Sequence, residues 1–436
     1  MTRSFAAPAR RVRLLPLVGA LYFMVSGGPY GLEELARDVG FGGAIAVLVA
    51  TPVLWSLPTA LMVGELAAAL PEEGGYYAWV RRALGDFWGF QEAWLSLASS
   101  VFDMAIYPTL FALYLGRLWP EAAMHPVAVG VVFIAAGSAY NLGGARAVGD
   151  GSAATTVLLL APFAILVALA FFSGGGASTA PAHHGVAAPD VAGAVVVGMW
   201  NYMGWDNVST IAGEVDRPER TYPRAVLAAV LLVALTYVVP VAAMARAGVD
   251  PSTWDTGSWV EVARVFGGRG LAVAVVAGGM LSAFGMYSAL CLSLSRLPAV
   301  LADDGHLPAV FARRFARDGT PWVSVLALSG AWMLTLGLSF ERLVSLDILL
   351  YGTSLVLEFV ALVVLRVREP DLARPFRVPG GTIGAAALGL GPLALLGFAL
   401  TKNLHEEVAG VSALAFGAGV ALLGAIVYGA GRLRKR

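Results

Sequence analysis

The chain has 436 residues, of which 58% are hydrophobic and 13% are charged, and its mean hydropathy is +0.75. A soluble domain carries about 25% charged residues, so this composition places most of the chain in hydrocarbon and excludes a sizeable soluble domain. The net charge of zero gives no basic surface for nucleic acid, and Cys291, the single cysteine, excludes an internal disulfide and a cysteine-rich metal site.

Apolar segments bounded by charges and turn residues predict about twelve membrane spans, because each spanning helix needs about 20 apolar residues. Most lysines and arginines fall on the side of the membrane that holds the N-terminal segment, so we expect both termini in the cytoplasm. We therefore predict a multi-pass protein of the cytoplasmic membrane, with lipid around it. In chain order the predicted spans are 14–38, 43–70, 87–118, 126–142, 153–172, 191–215, 223–246, 271–300, 321–339, 343–366, 382–400 and 407–431.

The first span is interrupted near its middle by Ser26-Gly27-Gly28-Pro29-Tyr30-Gly31. Glycine and proline are poor helix formers, and Pro29 has no backbone N–H to donate. At membrane depth, irregular backbone is tolerated only beside a cavity or against other protein. The motif therefore predicts a break in the helix beside a cavity, with a proline kink in a packed helix as the alternative.

The sixth span contains a second interruption, Trp200-Asn201-Tyr202-Met203-Gly204-Trp205-Asp206-Asn207. The first and sixth spans occupy the same position in two halves of five spans each, and an odd number of spans gives those halves opposite topology. Matched interrupted helices of this kind mark the binding site of a transporter. Free N–H groups at half-helix starts bind anions there, and free carbonyls at half-helix ends bind cations.

Four groups of residues occur in an order that resembles the amino acid–polyamine–organocation (APC) superfamily, nearest to its polyamine-uptake branch beside the L-type amino acid transporters. The groups are Val25-Ser26-Gly27-Gly28-Pro29-Tyr30-Gly31-Leu32-Glu33-Glu34; Gly64-Glu65-Leu66-Ala67-Ala68-Ala69-Leu70-Pro71 with Gly74-Gly75-Tyr76 and Trp79; Trp205 to Val215 with Pro218-Glu219-Arg220 and Pro223-Arg224-Ala225; and Ser295-Arg296 with Asp304-Gly305-His306-Leu307-Pro308.

The resemblance implies an all-α integral membrane fold of the LeuT type, a 5+5 inverted repeat with about twelve transmembrane helices, of which helices 1 and 6 are broken. It also implies alternating access with proton-coupled symport or substrate exchange. The corresponding divisions are a cytoplasmic N-terminus at 1–13, a first repeat at 14–172, an external loop at 173–190, a second repeat at 191–366, an accessory helix pair at 382–431 and a cytoplasmic tail at 432–436.

The family pattern also implies roles for single residues. The turn at Ser26, Gly27 and Gly28 contacts substrate, Trp200 is the aromatic gate over it, and Asp206 occupies an acidic position that follows Gly204. Amino-acid members commonly hold the substrate carboxylate with successive N–H groups of this turn. Pro29 removes one donor, which favours an amine without a carboxylate, although the N–H groups of Gly27 and Gly28 remain.

Carboxylates inside the spans are functional candidates by default. Asp103 and Asp206 could pair with a substrate ammonium, and Asp103 could instead carry a coupling proton; the alternatives are an interhelical hydrogen bond and a helix cap. Glu33 and Glu34 could guide cations or simply begin a helix. The full predicted substrate site is Ser26, Gly27, Gly28, Tyr30, Asp103, Tyr107, Trp200, Asn201, Tyr202, Gly204 and Asp206.

Gating or coupling is predicted for Trp200, Glu33 and Glu34, and for Glu214 paired with Arg296. Glu65 and Glu92 are predicted to form salt bridges with cytoplasmic arginines, and no role is assigned to Glu358.

A polyamine brings two or more positive charges to the middle of the membrane and needs protein carboxylates, whereas a zwitterion carries its own counter-charge. The carboxylates therefore rank a polyamine or cationic amine above a neutral amino acid. We expect a transporter that imports or exchanges such solutes, with a neutral amino acid exchanger or a non-transporting nutrient sensor as alternatives. The sequence has no residues at metal-ligand spacing and no phosphate-binding glycine loop. Nothing in it therefore indicates an enzyme or a cofactor. The coupling ion and the oligomeric state stay open.

Overall fold

The structure is a computed structural model that describes residues 12–72, 74–144, 152–173, 189–403, 407–408 and 410–433. Within these ranges the chain is helical apart from its connections and one short antiparallel pair of strands, β1 (Glu407–Val408) and β2 (Val411–Ser412).

The helices of the first half follow the predicted spans closely. In order they are α1 (Leu14–Val25), α2 (Glu33–Thr51), which runs through a π-helical turn at Pro52–Ser56 into α3 (Leu57–Ala69), α4 (Tyr76–Leu84), α5 (Asp86–Gly116), α6 (Pro120–Ala123), α7 (Pro126–Asn141) and α8 (Ser152–Phe172).

The second half begins with a short helix and a 3-10 segment. In order the elements are α9 (Val191–Asn201), the 3-10 helix Asn207–Glu214, α10 (Pro218–Ala247), α11 (Trp259–Leu294), α12 (Arg296–Asp303), the 3-10 turn Ala309–Ala312, α13 (Trp322–Trp332) continued by a 3-10 turn at Met333–Thr335, α14 (Phe340–Arg368), α15 (Gly381–Leu388), α16 (Leu390–Asn403) and α17 (Ala413–Leu433).

Eight helical stretches in the described residues are long and apolar enough to cross a membrane, and four shorter apolar helices accompany them. These segments coincide with the twelve predicted spans. The four shorter ones are Leu14–Val25, Pro126–Asn141, Val191–Asn201 and Trp322–Thr335. Two of them, α1 and α9, are the first halves of the helices that the sequence predicts to be broken.

Both predicted breaks are present, and they touch each other. Residues 26–32 separate α1 from α2, and residues 202–206 separate α9 from the 3-10 helix. Gly204 has a φ of +94°, and a Cβ atom there would lie 2.5 Å from the carbonyl oxygen of Met24. Only glycine permits this approach, because any side chain would collide with the backbone of α1. The two breaks are therefore packed against each other in the protein interior.

Helices α2 and α11 each contain a kink at a glycine whose backbone angles are not helical. Gly40 in α2 has a φ of +66° and separates the outer half of span one from span two. Gly268 in α11 has a φ of +69° and separates the helix at 259–267 from span eight. After the second break the chain resumes as a 3-10 helix, a tighter form than the α-helix that a spanning segment predicts.

Helices α5 and α14 pack against each other along the centre of the molecule. Their polar residues recur every three or four positions, which places them on one face of each helix. These two faces look toward the breaks and contribute most of the polar side chains of the central cavity. On these two faces the buried polar residues include Glu92, Ser96, Ser99, Asp103 and Tyr107 on α5, and Asp347, Tyr351, Ser354 and Glu358 on α14.

Candidate functional site

A small cavity lies beside both helix breaks. Helices α1, α5, α11 and α14 form its walls together with the unwound part of span six. Its lining residues are Met24, Val25, Tyr76, Ser96, Ser99, Ser100, Asp103, Tyr107, Trp200, Met203, Gly204, Asp206, Asn207, Met286, Leu290, Leu294, Asp347 and Tyr351. The prediction of a cavity at the breaks is confirmed.

Asp103 lies on the cavity wall formed by α5. Its Oδ1 accepts a hydrogen bond from the Tyr107 hydroxyl at 2.9 Å and one from the Trp200 indole at 3.3 Å. Tyr107 is one helical turn further along the same face, and Trp200 comes from the end of α9. The carboxylate is thus held in place by two donors that themselves line the cavity.

Asp206 lies at the second break, directly before the 3-10 helix. Its Oδ1 accepts a hydrogen bond from the hydroxyl of Tyr351 on α14, and that hydroxyl also accepts the backbone N–H of Gly204 at 3.3 Å. Tyr351 therefore joins the unwound backbone to the carboxylate. This fixes the orientation of Asp206 toward the cavity.

Asp347 is a third carboxylate in the cavity wall, one turn before Tyr351 on α14. It is fully buried, and neither of its oxygens accepts a well-formed hydrogen bond, although Ser99 lies near it. An ionised carboxylate without partners is costly at this depth, so the site is suited to a cationic ligand or a proton.

Sequence reasoning missed Asp347 and Tyr351. The signal for Asp347 was available, because it is an acidic residue within the predicted span 343–366, as Asp103 is within 87–118. Tyr351 carried no such signal, since a tyrosine in a span is usually a packing residue.

The electrostatic character of the cavity follows from these three aspartates. Among the described residues that line it there is no lysine or arginine. Among the described lining residues, the donors available to offset the negative charge are hydroxyl groups, the side-chain amide of Asn207, and indole or backbone N–H groups. The arrangement can bind one or more ammonium groups, and it offers no positive side chain to a carboxylate.

Five residues predicted to bind substrate do line the cavity. They are Asp103, Tyr107, Trp200, Gly204 and Asp206.

Tyr30, Asn201 and Tyr202 do not line the cavity in this structure, and their contact with substrate stays a prediction. The hydroxyl of Tyr30 donates to the carbonyl of Val275 at 3.1 Å, and that of Tyr202 donates to the carbonyl of Leu48 at 2.9 Å. The side-chain amide of Asn201 donates within its own helix, at 2.9 Å. Each polar group is turned into the protein by a backbone partner.

The glycine turn in span one lies next to the cavity without lining it, so the direct substrate contacts predicted for Ser26, Gly27 and Gly28 are not seen in this conformation. The N–H of Gly28 donates to the Ser26 hydroxyl at 3.1 Å, and the carbonyl of Gly27 accepts a hydrogen bond from Ser282. The Gly28 N–H that was expected to hold a carboxylate is therefore already paired.

Glu33 and Glu34 connect the outer half of span one to the segment before α11. Glu33 is fully buried and accepts hydrogen bonds from the Tyr114 hydroxyl, from Gly257 N at 2.9 Å and from Gly31 N at 2.8 Å. Glu34 accepts one from Thr256 at 2.9 Å. Neither is among the cavity-lining residues. Both hold the start of α2 against the segment before α11, and their part in gating stays a prediction.

Trp200 lines the cavity, and its role as an aromatic gate stays a prediction. Its ring meets that of Phe340 edge-on at 5.3 Å and lies close to Gly31 in the first break.

Glu214 belongs to the 3-10 helix, and its side chain is outside the described residues, so its pairing with Arg296 stays a prediction. A guanidinium nitrogen of Arg296 donates to the carbonyl of Leu292 at 2.6 Å.

The salt bridge predicted for Glu65 is confirmed and that for Glu92 is wrong. Glu65 is paired with Arg366, both fully buried. Glu92 accepts a hydrogen bond from Ser96 at 2.8 Å, and its second oxygen has no partner in the described part of the chain. Glu92 is turned toward the polar face of α14 instead of the cytoplasmic arginines.

Two broken helices that meet at a central cavity define a secondary transporter of the LeuT fold. The solved structure of MhsT in complex with L-phenylalanine superimposes with a TM-score of 0.62, covering 90% of this chain and 100% of that chain at 15% identity. A model of the amino acid permease family matches residues 19–425, and the chain belongs to this family.

Two plant proteins are similar over most of the chain. The polyamine transporter RMV1 of Arabidopsis thaliana is 33% identical over 417 residues, which cover 94% of this chain and 84% of that protein. The polyamine transporter PUT1 of Oryza sativa subsp. japonica is 36% identical over 419 residues, covering 94% and 77%.

Proposed function

We propose that this transporter imports or exchanges polyamines across the cytoplasmic membrane by alternating access, coupled to protons, with both termini in the cytoplasm. The two inverted repeats are residues 14–172 and 191–366, and 382–431 are accessory. The observation that supports the substrate class is a cavity with three carboxylates, Asp103, Asp206 and Asp347, and no lysine or arginine among its described lining residues.

The charge of the cavity distinguishes between the candidate substrates. A neutral amino acid brings no net charge, so it would leave three carboxylates uncompensated. A polyamine brings two or more ammonium groups, each of which can lie against an aspartate. The paired Gly28 N–H also weakens the case for a carboxylate clamp. The names of the two plant relatives support the same class.

Uptake of labelled spermidine and putrescine into proteoliposomes tests the proposal, with leucine and alanine as competitors. We expect Asp206→Asn and Asp347→Asn each to weaken spermidine binding by about 30-fold or more, because removing one partner of a buried charge pair costs about 2 kcal/mol or more. Asp371→Asn is the matched control, since Asp371 is exposed in the connection after α14 and should leave uptake unchanged.

Two results would contradict the proposal. Saturable uptake of a neutral amino acid that spermidine does not inhibit would assign the chain to amino acid exchange. Tight spermidine binding without flux in either direction would indicate a nutrient sensor.

A further inference from the structure

The polar faces of α5 and α14 carry two pairs of carboxylates at different depths. On α5, Glu92 and Asp103 are eleven residues apart, and on α14, Asp347 and Glu358 are also eleven residues apart. Eleven residues of α-helix span about 16 Å. Since consecutive spans alternate in direction, α5 and α14 run antiparallel, so Asp103 faces the level of Asp347 and Glu92 faces the level of Glu358.

The electrostatic interactions agree with this pairing. Asp347 interacts with Asp103 and Asp206, whereas Glu358 interacts with Glu92 and Asp206. The Asp103–Asp347 pair lines the cavity. The Glu92–Glu358 pair, which we call the inner pair, lies on the cytoplasmic side of it and does not line it.

The inner pair is completely buried and poorly satisfied. Both oxygens of Glu358 and one oxygen of Glu92 lack hydrogen-bond partners in the described residues. The phenol of Tyr76, which lies near Glu92, Asp206 and Glu358, also has no well-formed hydrogen bond and is buried. Tyr76 is in addition a cavity-lining residue, so it connects the inner pair to the cavity.

No basic side chain balances the inner pair among its described neighbours. The groups that face it are Ser96 from α5, Tyr351 from α14, Tyr76 from α4 and Asp206 from the second break. The nearest base along α14 is Arg366, about 12 Å beyond Glu358 at 1.5 Å per residue, and it is engaged with Glu65. Two carboxylates in such a place cannot both be ionised, because each uncompensated charge costs several kcal/mol.

The ligand that fits the inner pair is a proton. An ammonium group needs space, and the pair lies outside the cavity wall. A metal ion needs three or more ligands, and no such group of His, Cys, Asp and Glu occurs in the described part of the chain. A proton needs only an oxygen lone pair and a route, which the phenol of Tyr76 and the carboxylate of Asp206 provide.

We propose that Glu92 and Glu358 form the proton-coupling site of this transporter, separate from the aspartates that bind the amine. The proposal rests on the proposed function for the identity of the co-transported solute. A carboxylate oxygen of the pair takes a proton through the cavity from the outer solution and releases it to the cytoplasm in the same cycle. The occluded state is then compensated at both levels, by ammonium groups on the aspartates and by the proton on the glutamates.

Glutamine at either position tests the proposal, because it mimics a permanently protonated carboxyl. In proteoliposomes that contain the pH dye pyranine, wild-type protein should acidify the lumen when spermidine is added outside, and an imposed inward proton gradient should concentrate spermidine. Glu358→Gln and Glu92→Gln should each abolish both effects, so that spermidine only equilibrates, while counterflow of labelled spermidine continues.

Two further variants separate coupling from folding. Glu358→Asp retains a titratable carboxyl and should restore proton entry, and Asp371→Asn should behave as wild type. Melting temperatures in detergent identify any variant that fails to fold. Because the two glutamine variants are independent, the loss of one leaves the other as the test.

Three outcomes would overturn the proton site. They are wild-type proton entry in both glutamine variants, loss of spermidine counterflow in variants that remain folded, and wild-type spermidine exchange without proton movement. The last would leave polyamine exchange standing and would remove proton coupling from the proposed function. Conversely, a wild-type protein that carries a neutral amino acid with a proton, uncoupled by Glu358→Gln, would overturn the polyamine assignment and retain the proton site.

Discussion

At the scale of single residues, Tyr351 has the largest number of roles in the site. Its hydroxyl accepts a hydrogen bond from the N–H of Gly204 and donates one to Asp206, so it satisfies unwound backbone and orients a carboxylate at once. Tyr202, which the sequence did suggest, donates its hydroxyl to the carbonyl of Leu48 on α2. The two tyrosines are adjacent to the same break but have different partners.

We therefore expect Tyr351→Phe and Tyr202→Phe to differ in kind. Removing the Tyr351 hydroxyl leaves a buried N–H and a carboxylate oxygen unpaired, a cost of about 1–3 kcal/mol that should appear as weaker spermidine binding. Tyr202→Phe should lower the melting temperature and leave spermidine affinity unchanged. Thermal-shift titration measures both quantities, and equal affinity losses in the two variants would show that Tyr202 belongs to the site after all.

At the scale of elements, the short helix α4 borders the cavity through Tyr76. Gly75, just before it, has a φ of +44°, and a Cβ atom there would lie 2.0 Å from Ser209 Oγ and 2.7 Å from its backbone carbon. The N–H of Tyr76 donates to Ser209 Oγ at 3.2 Å. Helix α4 is thus docked directly on the 3-10 helix that follows the second break.

Alanine at the two glycines that flank α4 tests this docking. Gly85 also has a positive φ, +94°, but nothing lies within 4 Å of its ideal Cβ. Gly85→Ala should cost only the backbone strain of about 1–2 kcal/mol. Gly75→Ala should cost more and reduce transport, because it forces α4 away from the 3-10 helix. Melting temperature and spermidine uptake report on both, and identical behaviour of the two variants would argue against a tight contact.

At the scale of the whole molecule, a buried ion pair joins three parts of the bundle. Glu65 on α3 accepts hydrogen bonds from Arg366 on α14, at 2.9 Å for one of them, and from the N–H of Val378 at 2.7 Å. Arg374 lies 3.4 Å from the same carboxylate. The pair links spans two and ten to the connection before α15.

We expect Glu65→Gln to destabilise the protein by about 3–5 kcal/mol, because it leaves the buried guanidinium of Arg366 uncompensated. The matched control is Glu369→Gln, which removes a pair with Arg82 that is partly exposed, 40% for Arg82 and 32% for Glu369, and should cost about 0–1 kcal/mol. Unfolding in mixed detergent measures the difference, and comparable losses would mean that Glu65 is not a structural link.

The stability contributed by the Arg82–Glu369 pair depends on pH. The hydrogen bond from Arg82 lowers the pKa of Glu369 below its usual value. A carboxyl with a lowered folded-state pKa adds stability above the unfolded pKa and loses it as the pH falls through the folded value. The small contribution of this pair should therefore be present at neutral pH and absent in acid.

The sequence alone determined the membrane class, the twelve spans and the two breaks. These follow from local properties, since hydropathy over about 20 residues and the placement of glycine and proline act within one segment. It also identified Asp103, Trp200 and Asp206, because a carboxylate or an ordered motif inside an apolar span is visible without knowing its neighbours. The same rule would have found Asp347.

Tertiary structure decided which side chains face the cavity and which carboxylates lack partners. Tyr30 and Tyr202 donate hydrogen bonds to backbone carbonyls. Glu65 pairs with Arg366, which lies 301 positions away in the chain, whereas Glu92 forms no ion pair with an arginine among the described residues. A spacing pattern places residues on one face of a helix, but it does not state what that face packs against. Helices α5 and α14 pack face to face because distant segments of the chain come together. The position of the inner pair is therefore set by the tertiary structure.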